Sequence, residues 1–100
     1  MNKMNKKYVI VRSHLAGVFF GILTSKNKTE ITLTKARKFF YYSGANTVED
    51  LANYGALNPT SCKLTVEVEE IIISDFVQII PCTKGAINQI KNIPVWSFKK

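Results

Sequence analysis

Apolar and polar residues alternate along most of this 100-residue chain, and a period of two is typical of β-strands that bury one face. The alternation is clearest in residues 29–34, where Ile31 and Leu33 share one face and polar side chains occupy the other. A second apolar run, residues 18–25, precedes this segment and is separated from it by the polar turn 26–28. We therefore predict that the two runs form a β-hairpin and that a sheet is the principal element of the fold.

Two short helices are predicted beside the sheet. Asn46 or Thr47 can cap the first helix and Gly55 ends it, whereas Thr83 caps a second helix that extends to Asn92. The other alternating or apolar runs predict strands over residues 7–12, 35–43, 62–68, 70–74 and 76–80.

The length of the chain fits one domain. We expect an α+β fold, a mainly antiparallel β-sheet with two short helices in a single domain. Residues 1–6 are expected to form a flexible basic N-terminus, and residues 7–100 a single β-rich ligand-binding domain.

Positive charge is concentrated in the first part of the chain. The formal net charge is +7, and residues 1–45 hold nine basic side chains and one acidic one, whereas residues 46–100 hold five basic and six acidic ones. Arg12, Arg37 and Lys38 are embedded among apolar residues, where a charge is costly without a partner. The sequence therefore indicates an anionic partner.

Catalytic and metal-binding patterns are weak. His14 is the single histidine, and Glu30 is the one acidic residue in the first 45 positions, so no nucleophile, base and orienting acid are close in sequence. Cys62, Cys82 and His14 do not have the spacing of metal ligands, and no glycine-rich phosphate loop is present. We expect no enzymatic activity, no catalytic residues, no metal and no cofactor.

The location of the protein is predicted from its apolar runs and cysteines. No run approaches the roughly 20 apolar residues that span a bilayer, and no secretory signal follows the basic N-terminus. We expect a cytoplasmic protein without a membrane partner, with Cys62 and Cys82 as reduced thiols.

Residues 35–43 combine cations with four consecutive aromatic residues. Alternation places Lys38, Phe40 and Tyr42 on one face of this strand and Arg37, Phe39 and Tyr41 on the other. A cation beside aromatic rings suits a nucleotide, because the cation binds phosphate and a ring stacks on the base. The alternative is that the aromatic side chains pack in the core or in a dimer interface while the cations reach solvent.

The chain also resembles a family of small phage and prophage proteins with the aromatic motif AR(R/K)xW(Y/R)W(S/G)GA. Here Phe40 and Tyr42 stand where that family often has tryptophans. The resemblance rests on residues 8–12, 16–21, 36–45, 51–55 and 79–83. The family is identified as including the anti-Thoeris sponges, which sequester the cyclic ADP-ribose isomers that Thoeris defence uses as an alarm signal.

This resemblance implies a phage anti-defence protein that binds a cyclic ADP-ribose isomer without degrading it. A domain of this size has little room to enclose such a ligand alone, so we expect a homodimer or a higher symmetric oligomer. The rival interpretation is a single-stranded nucleic-acid-binding module that uses the same surface, and a third is a phage protein that binds another protein. The candidate ligand-binding residues are Arg12, Phe19, Arg37, Lys38, Phe40, Tyr42, Ser43, Thr47 and Asn92.

Overall fold

The computed structural model describes residues 7–41, 47–58 and 62–95. The expected flexible tail 1–6, the predicted cap Asn46 and the end of the strand predicted over residues 35–43 lie outside these ranges. The elements are β1 (Lys7–Ser13), β2 (Val18–Lys26), β3 (Ile31–Tyr41), α1 (Val48–Tyr54), β4 (Lys63–Leu64), β5 (Val68–Ile73), β6 (Phe76–Pro81) and α2 (Lys84–Lys91).

The strands form one antiparallel sheet in the order β4-β3-β2-β1-β6, with β5 also paired to β3. The predicted hairpin is confirmed, because β2 pairs with β3 and Asn27 closes the turn by accepting the backbone N–H groups of Thr29 and Glu30. The predicted fold class, a single α+β domain with two short helices, is also confirmed.

The sheet curls so that its two edges are joined by a single segment of chain. β5 borders β3 and β6 borders β1, yet only Ser74 and Asp75 separate β5 from β6. On the inner face of the curled sheet, side chains from different strands pack against one another. They form a buried cluster, the inner cluster, that consists of strand residues alone and includes Val11, Phe19 and Leu33.

The outer face of the curled sheet carries both helices. Its cluster joins Ile10 and Phe20 of the sheet to Leu51 of α1 and Ile90 of α2. The two helices are linked where Gln89 hydrogen-bonds both the N–H and the carbonyl of Ala56. Neither described helix has the length and apolar character needed to cross a bilayer.

The caps of both helices confirm the sequence-based predictions. Thr47 accepts the N–H of Asp50 and Thr83 accepts the N–H of Ala86, so each side chain satisfies a donor that the helix leaves unpaired. Gly55 ends α1 with a φ of 79°, in the region that favours glycine.

Two predicted strands, residues 29–34 and 35–43, are one strand in the structure. Lys35 adopts a φ of 49° and forms a bulge that lets Leu33 and Ala36 both enter the inner cluster. Gly21 lies opposite this bulge, where a Cβ atom would be 3.1 Å from Ala36 Cα and 3.1 Å from Thr34 O.

The strand predicted over residues 62–68 was too long. Only Lys63 and Leu64 pair with β3 as β4, and the chain is irregular until Val68. Thr65 explains the break, because its hydroxyl accepts the N–H of Lys38 and its carbonyl accepts from the side chain of Arg37.

Asp75 fastens the loop between β1 and β2. Its carboxylate accepts the hydroxyl of Ser13 at 2.7 Å and the N–H of Leu15 at 2.8 Å, and these two bonds hold its pKa below the usual range. The N–H of His14 adds a bond to the carbonyl of Asp75. These bonds hold the C-terminal end of β1 beside the N-terminal end of β6.

We predict that Gly21→Ala lowers the free energy of unfolding by about 1–3 kcal/mol, because the new methyl group meets backbone atoms that cannot move aside. The control is Gly85→Ala, since nothing lies within 4 Å of a Cβ at that exposed helix position and alanine is favoured there by about 0.5 kcal/mol. Urea unfolding measures both. Equal effects of the two substitutions would contradict the close approach at Gly21.

We predict that Asp75→Asn destabilises the protein at neutral pH but not in acid. A carboxylate whose native pKa is lowered stabilises the fold above its unfolded pKa of roughly 4, and this contribution disappears as the pH falls through the native pKa. Unfolding curves at several pH values, compared with wild type, measure the effect. A difference that is constant from pH 7 to pH 3 would exclude the carboxylate as its source.

Candidate functional site

A pocket lies between the outer face of the sheet and the end of α2. Its volume is about 220 Å³, below the roughly 300–1,000 Å³ of pockets that enclose a drug-sized molecule. Its walls come from β1, β2, β3, the segment before β5, and the last helix with the chain that follows it. The lining residues are Tyr8, Phe20, Arg37, Glu67, Lys91 and Val95.

Arg37 lies at the base of this pocket because β3 turns it toward the helices. Its backbone pairs with Phe20 of β2, and its side chain is only 6% exposed. Nη1 donates to the carbonyl of Ile93 at 2.9 Å and to that of Ile90 at 3.3 Å, while Nε donates to the carbonyl of Thr65 at 3.1 Å. The guanidinium therefore holds the end of α2 and the segment before β5 against the sheet.

The second terminal nitrogen of Arg37 has a different environment. Nη2 is buried and has no hydrogen-bond partner, although an unsatisfied buried donor on a charged group costs several kcal/mol. Burial lowers the pKa of Arg37, and the carboxylate of Glu67 opposes this shift. The group nevertheless stays charged, so Arg37, which lines the pocket, carries a buried cationic donor that lacks an acceptor.

Tyr8 forms the aromatic wall of the pocket. Its ring stacks on Phe20 with centroids 4.9 Å apart and an interplanar angle of 17°, and Lys91 Nζ lies 5.2 Å from the centroid of the Tyr8 ring. The cation–π contact places a second positive charge beside the pocket of Arg37.

Glu67 is the acidic member of the lining. Its exposed side chain projects from an irregular segment that is anchored on both sides, by the bonds of Thr65 to β3 and by the pairing of Val68 with Ala36. The lining thus combines two cations, one carboxylate and an aromatic wall. This arrangement can bind an anion that also carries hydrogen-bond donors.

Lys38, Phe19 and Phe40 do not lie at this pocket. Lys38 and Phe19 are cross-strand partners at the inner face, where Lys38 Nζ is 5.9 Å from the centroid of the Phe19 ring. Phe19 is buried in the inner cluster, so its ring is not displayed for stacking. Phe40 is 52% exposed at the end of β3.

The other predicted site residues are dispersed. Arg12 is exposed on β1, and its charge acts on Glu49, which accepts a hydrogen bond from Gln78. The hydroxyl of Thr47 is engaged in capping α1. Asn92 follows α2 and donates to the carbonyl of Asn88, and the predicted residues Tyr42 and Ser43 lie outside the described residues. Of the predicted set, the structure places Arg37 in the pocket.

Tyr8, Phe20 and Glu67, which line the pocket with Arg37, are not among the residues that the sequence predicted for the site. Tyr8 alternates with the buried Val9, which is a period-two signal for a position on the opposite face of β1. No local signal identifies Glu67, because it is brought to Arg37 from a distant part of the chain.

The described residues offer binding groups rather than a metal cluster. Within residues 7–41, 47–58 and 62–95, no three His, Cys, Asp or Glu side chains are grouped so as to hold a metal ion. Cys82 is mostly buried, and this burial raises the pKa of its thiol to about 12, which makes it a poor nucleophile.

We predict that Arg37→Lys lowers the free energy of unfolding by about 1–3 kcal/mol, because an ammonium cannot reproduce the forked bonds to three separate carbonyls. Arg12→Lys is the matched control, since Arg12 is exposed, and it should change stability by less than about 0.5 kcal/mol. Urea unfolding and amide hydrogen exchange in α2 provide the measurements. Unchanged exchange in α2 would show that Arg37 does not hold the helix.

Comparisons with known proteins give one match. No curated protein and no solved structure matches the chain. A family model matches residues 6–90, and this range includes every pocket residue except Lys91 and Val95. The chain therefore belongs to the family described as a domain of unknown function (DUF6948).

Proposed function

We propose that this protein binds a small phosphorylated nucleotide and acts by sequestering it, without chemical change. The observation that carries the proposal is the unpartnered Nη2 of Arg37, a buried donor on a residue that lines a pocket. A phosphate oxygen is the acceptor that suits a guanidinium best, because the bond is charge-assisted and directional. Binding would satisfy a donor that the fold leaves unpaired.

Charge and shape around Arg37 support the same ligand class. Lys91 adds a second cation, and the Tyr8 ring, which contacts both Phe20 and Lys91, adds apolar surface, so the lining suits an anionic group with apolar surface beside it. The two cations and the carboxylate of Glu67 give the lining a net charge of +1, which attracts an anion. Sequestration requires no residue that makes or breaks a covalent bond.

The size of the pocket determines how much of a ligand it encloses. A volume of about 220 Å³ accommodates a phosphate with part of its sugar, so the rest of a dinucleotide lies outside. The proposal therefore includes a homodimer or a higher symmetric oligomer in which a second copy of the chain covers the exposed part.

The resemblance to phage anti-Thoeris sponges suggests a cyclic ADP-ribose isomer as the first ligand to test. In this proposal the protein works in the bacterial cytoplasm and keeps the free signal too low to activate the host effector. A sponge requires tight binding, and a dissociation constant near 1 nM corresponds to about −12 kcal/mol.

A depletion assay tests this proposal. Purified protein is mixed with a cyclic ADP-ribose isomer, the free nucleotide is measured after ultrafiltration, and heat is used to release the bound fraction. We expect depletion followed by recovery of the intact nucleotide. Recovery of a hydrolysed product would contradict sequestration, and absence of depletion with any cyclic nucleotide would contradict the proposed ligand class.

We predict that Lys91→Gln weakens nucleotide binding by roughly fivefold, because it removes one cation from the rim of the pocket. Lys84→Gln is the matched control in the same helix, since Lys84 is exposed and does not line the pocket. Equilibrium dialysis of each variant measures the affinity. An equal loss in both variants would point to general charge attraction instead of a contact at the site.

Single-stranded nucleic acid is a second candidate ligand, supported by a different observation. Phe40 and Tyr41 are 52% and 55% exposed and adjacent at the end of β3, and exposed aromatic rings stack on bases. Micromolar or tighter binding of single-stranded RNA or DNA with a steep salt dependence would favour this candidate over the sponge.

A further inference from the structure

The carboxylate of Glu67 is the unexpected member of an anion-binding pocket. It lies in the same lining as Arg37 and Lys91 and acts electrostatically on Arg37. A carboxylate repels a bare phosphate, so its presence reduces the affinity of the pocket for simple anions. The same charge offsets part of the cost of burying Arg37, and it gives the pocket an acceptor for hydrogen-bond donors that a ligand carries beside its phosphate.

We infer that Glu67 makes the pocket selective for a phosphate attached to a sugar with a vicinal diol, so that ribonucleotides bind more tightly than deoxyribonucleotides. The inference rests on the proposed function and specifies its ligand class. A carboxylate accepts hydrogen bonds from hydroxyl groups, and acidic side chains recognise the ribose 2′-hydroxyl in this way in dinucleotide-binding folds. In this pocket Arg37 and Lys91 bind the phosphate, and Glu67 accepts from the sugar.

The backbone around Glu67 is suited to such discrimination because it is held on both sides. The N–H of Thr65 donates to the carbonyl of Lys38 and the hydroxyl of Thr65 accepts the N–H of Lys38. On the other side, Val68 begins β5 and pairs with Ala36. Anchors at both flanks restrict the backbone at Glu67, which reduces the entropy lost when its side chain binds a ligand.

Pocket size also favours a sugar phosphate over a larger group. About 220 Å³ is available beside Tyr8 and Val95, and Tyr8 is already stacked on Phe20 and contacted by Lys91. The base of a nucleotide therefore extends out of the pocket. In the sugar ring, the hydroxyl groups are the hydrogen-bond donors, and we assign them to Glu67.

The test compares adenosine 5′-monophosphate (AMP) with 2′-deoxyadenosine 5′-monophosphate on the full chain by equilibrium dialysis. We expect wild type to bind the ribonucleotide roughly tenfold more tightly, because one hydrogen bond to a charged acceptor is lost in the deoxy compound. Glu67→Gln should reduce this ratio to about twofold and should strengthen the binding of inorganic phosphate. The control Glu70→Gln removes an acid of β5 that does not line the pocket, and it should keep the wild-type ratio.

The possible failures are distinguishable. If both nucleotides bind wild type equally, or if Glu67→Gln keeps the tenfold ratio, selectivity through Glu67 is wrong and the proposed phosphate site still stands. If O-phosphoethanolamine binds wild type as tightly as AMP, Glu67 recognises an ammonium group and the diol inference is overturned. If neither nucleotide nor inorganic phosphate binds wild type or Glu67→Gln, the proposed function fails together with the inference.

Discussion

The structure depends on one buried guanidinium. Arg37 donates to carbonyls of Thr65, Ile90 and Ile93, and these bonds hold α2 and the segment before β5 on the outer face of the curled sheet. The carbonyl of Ile90 also accepts the N–H of Ile93, whereas the carbonyls of Thr65 and Ile93 lie in irregular segments, where Arg37 supplies the donor. The same contacts form the pocket, because its walls are the elements that Arg37 joins.

This arrangement links stability to binding at one residue. Desolvation of Arg37 is unfavourable, as the lowered pKa indicates, and one of its donors is unpaired in the described structure. An anion in the pocket would satisfy that donor, so a ligand that binds there is expected to stabilise the fold as well. The three carbonyl bonds indicate that Arg37→Ala would lower binding and stability together.

Local chemistry made much of the fold predictable. Alternation around Ile31 and Leu33 identified the hairpin, and the side chains of Thr47 and Thr83 marked both helix starts because capping depends on residues within one turn. The bulge at Lys35 was not predicted, because the sequence near Lys35 carries no signal for its left-handed backbone. That conformation arises because Leu33 and Ala36, three positions apart, both enter the inner cluster. The site was harder still. Arg37 donates to carbonyl groups that lie 28, 53 and 56 positions away in the sequence. A pattern within a few neighbouring residues does not predict such contacts.

The central claim is that Nη2 of Arg37 is the binding donor for a phosphate. Nitrogen-15 NMR of the arginine side chains during titration with AMP tests it most directly. We predict that the terminal N–H signals of Arg37 shift downfield and exchange more slowly with water as the nucleotide binds, while those of the exposed Arg12 change little. Saturable binding that leaves the Arg37 signals unchanged, or that shifts those of Arg12 instead, would contradict the account.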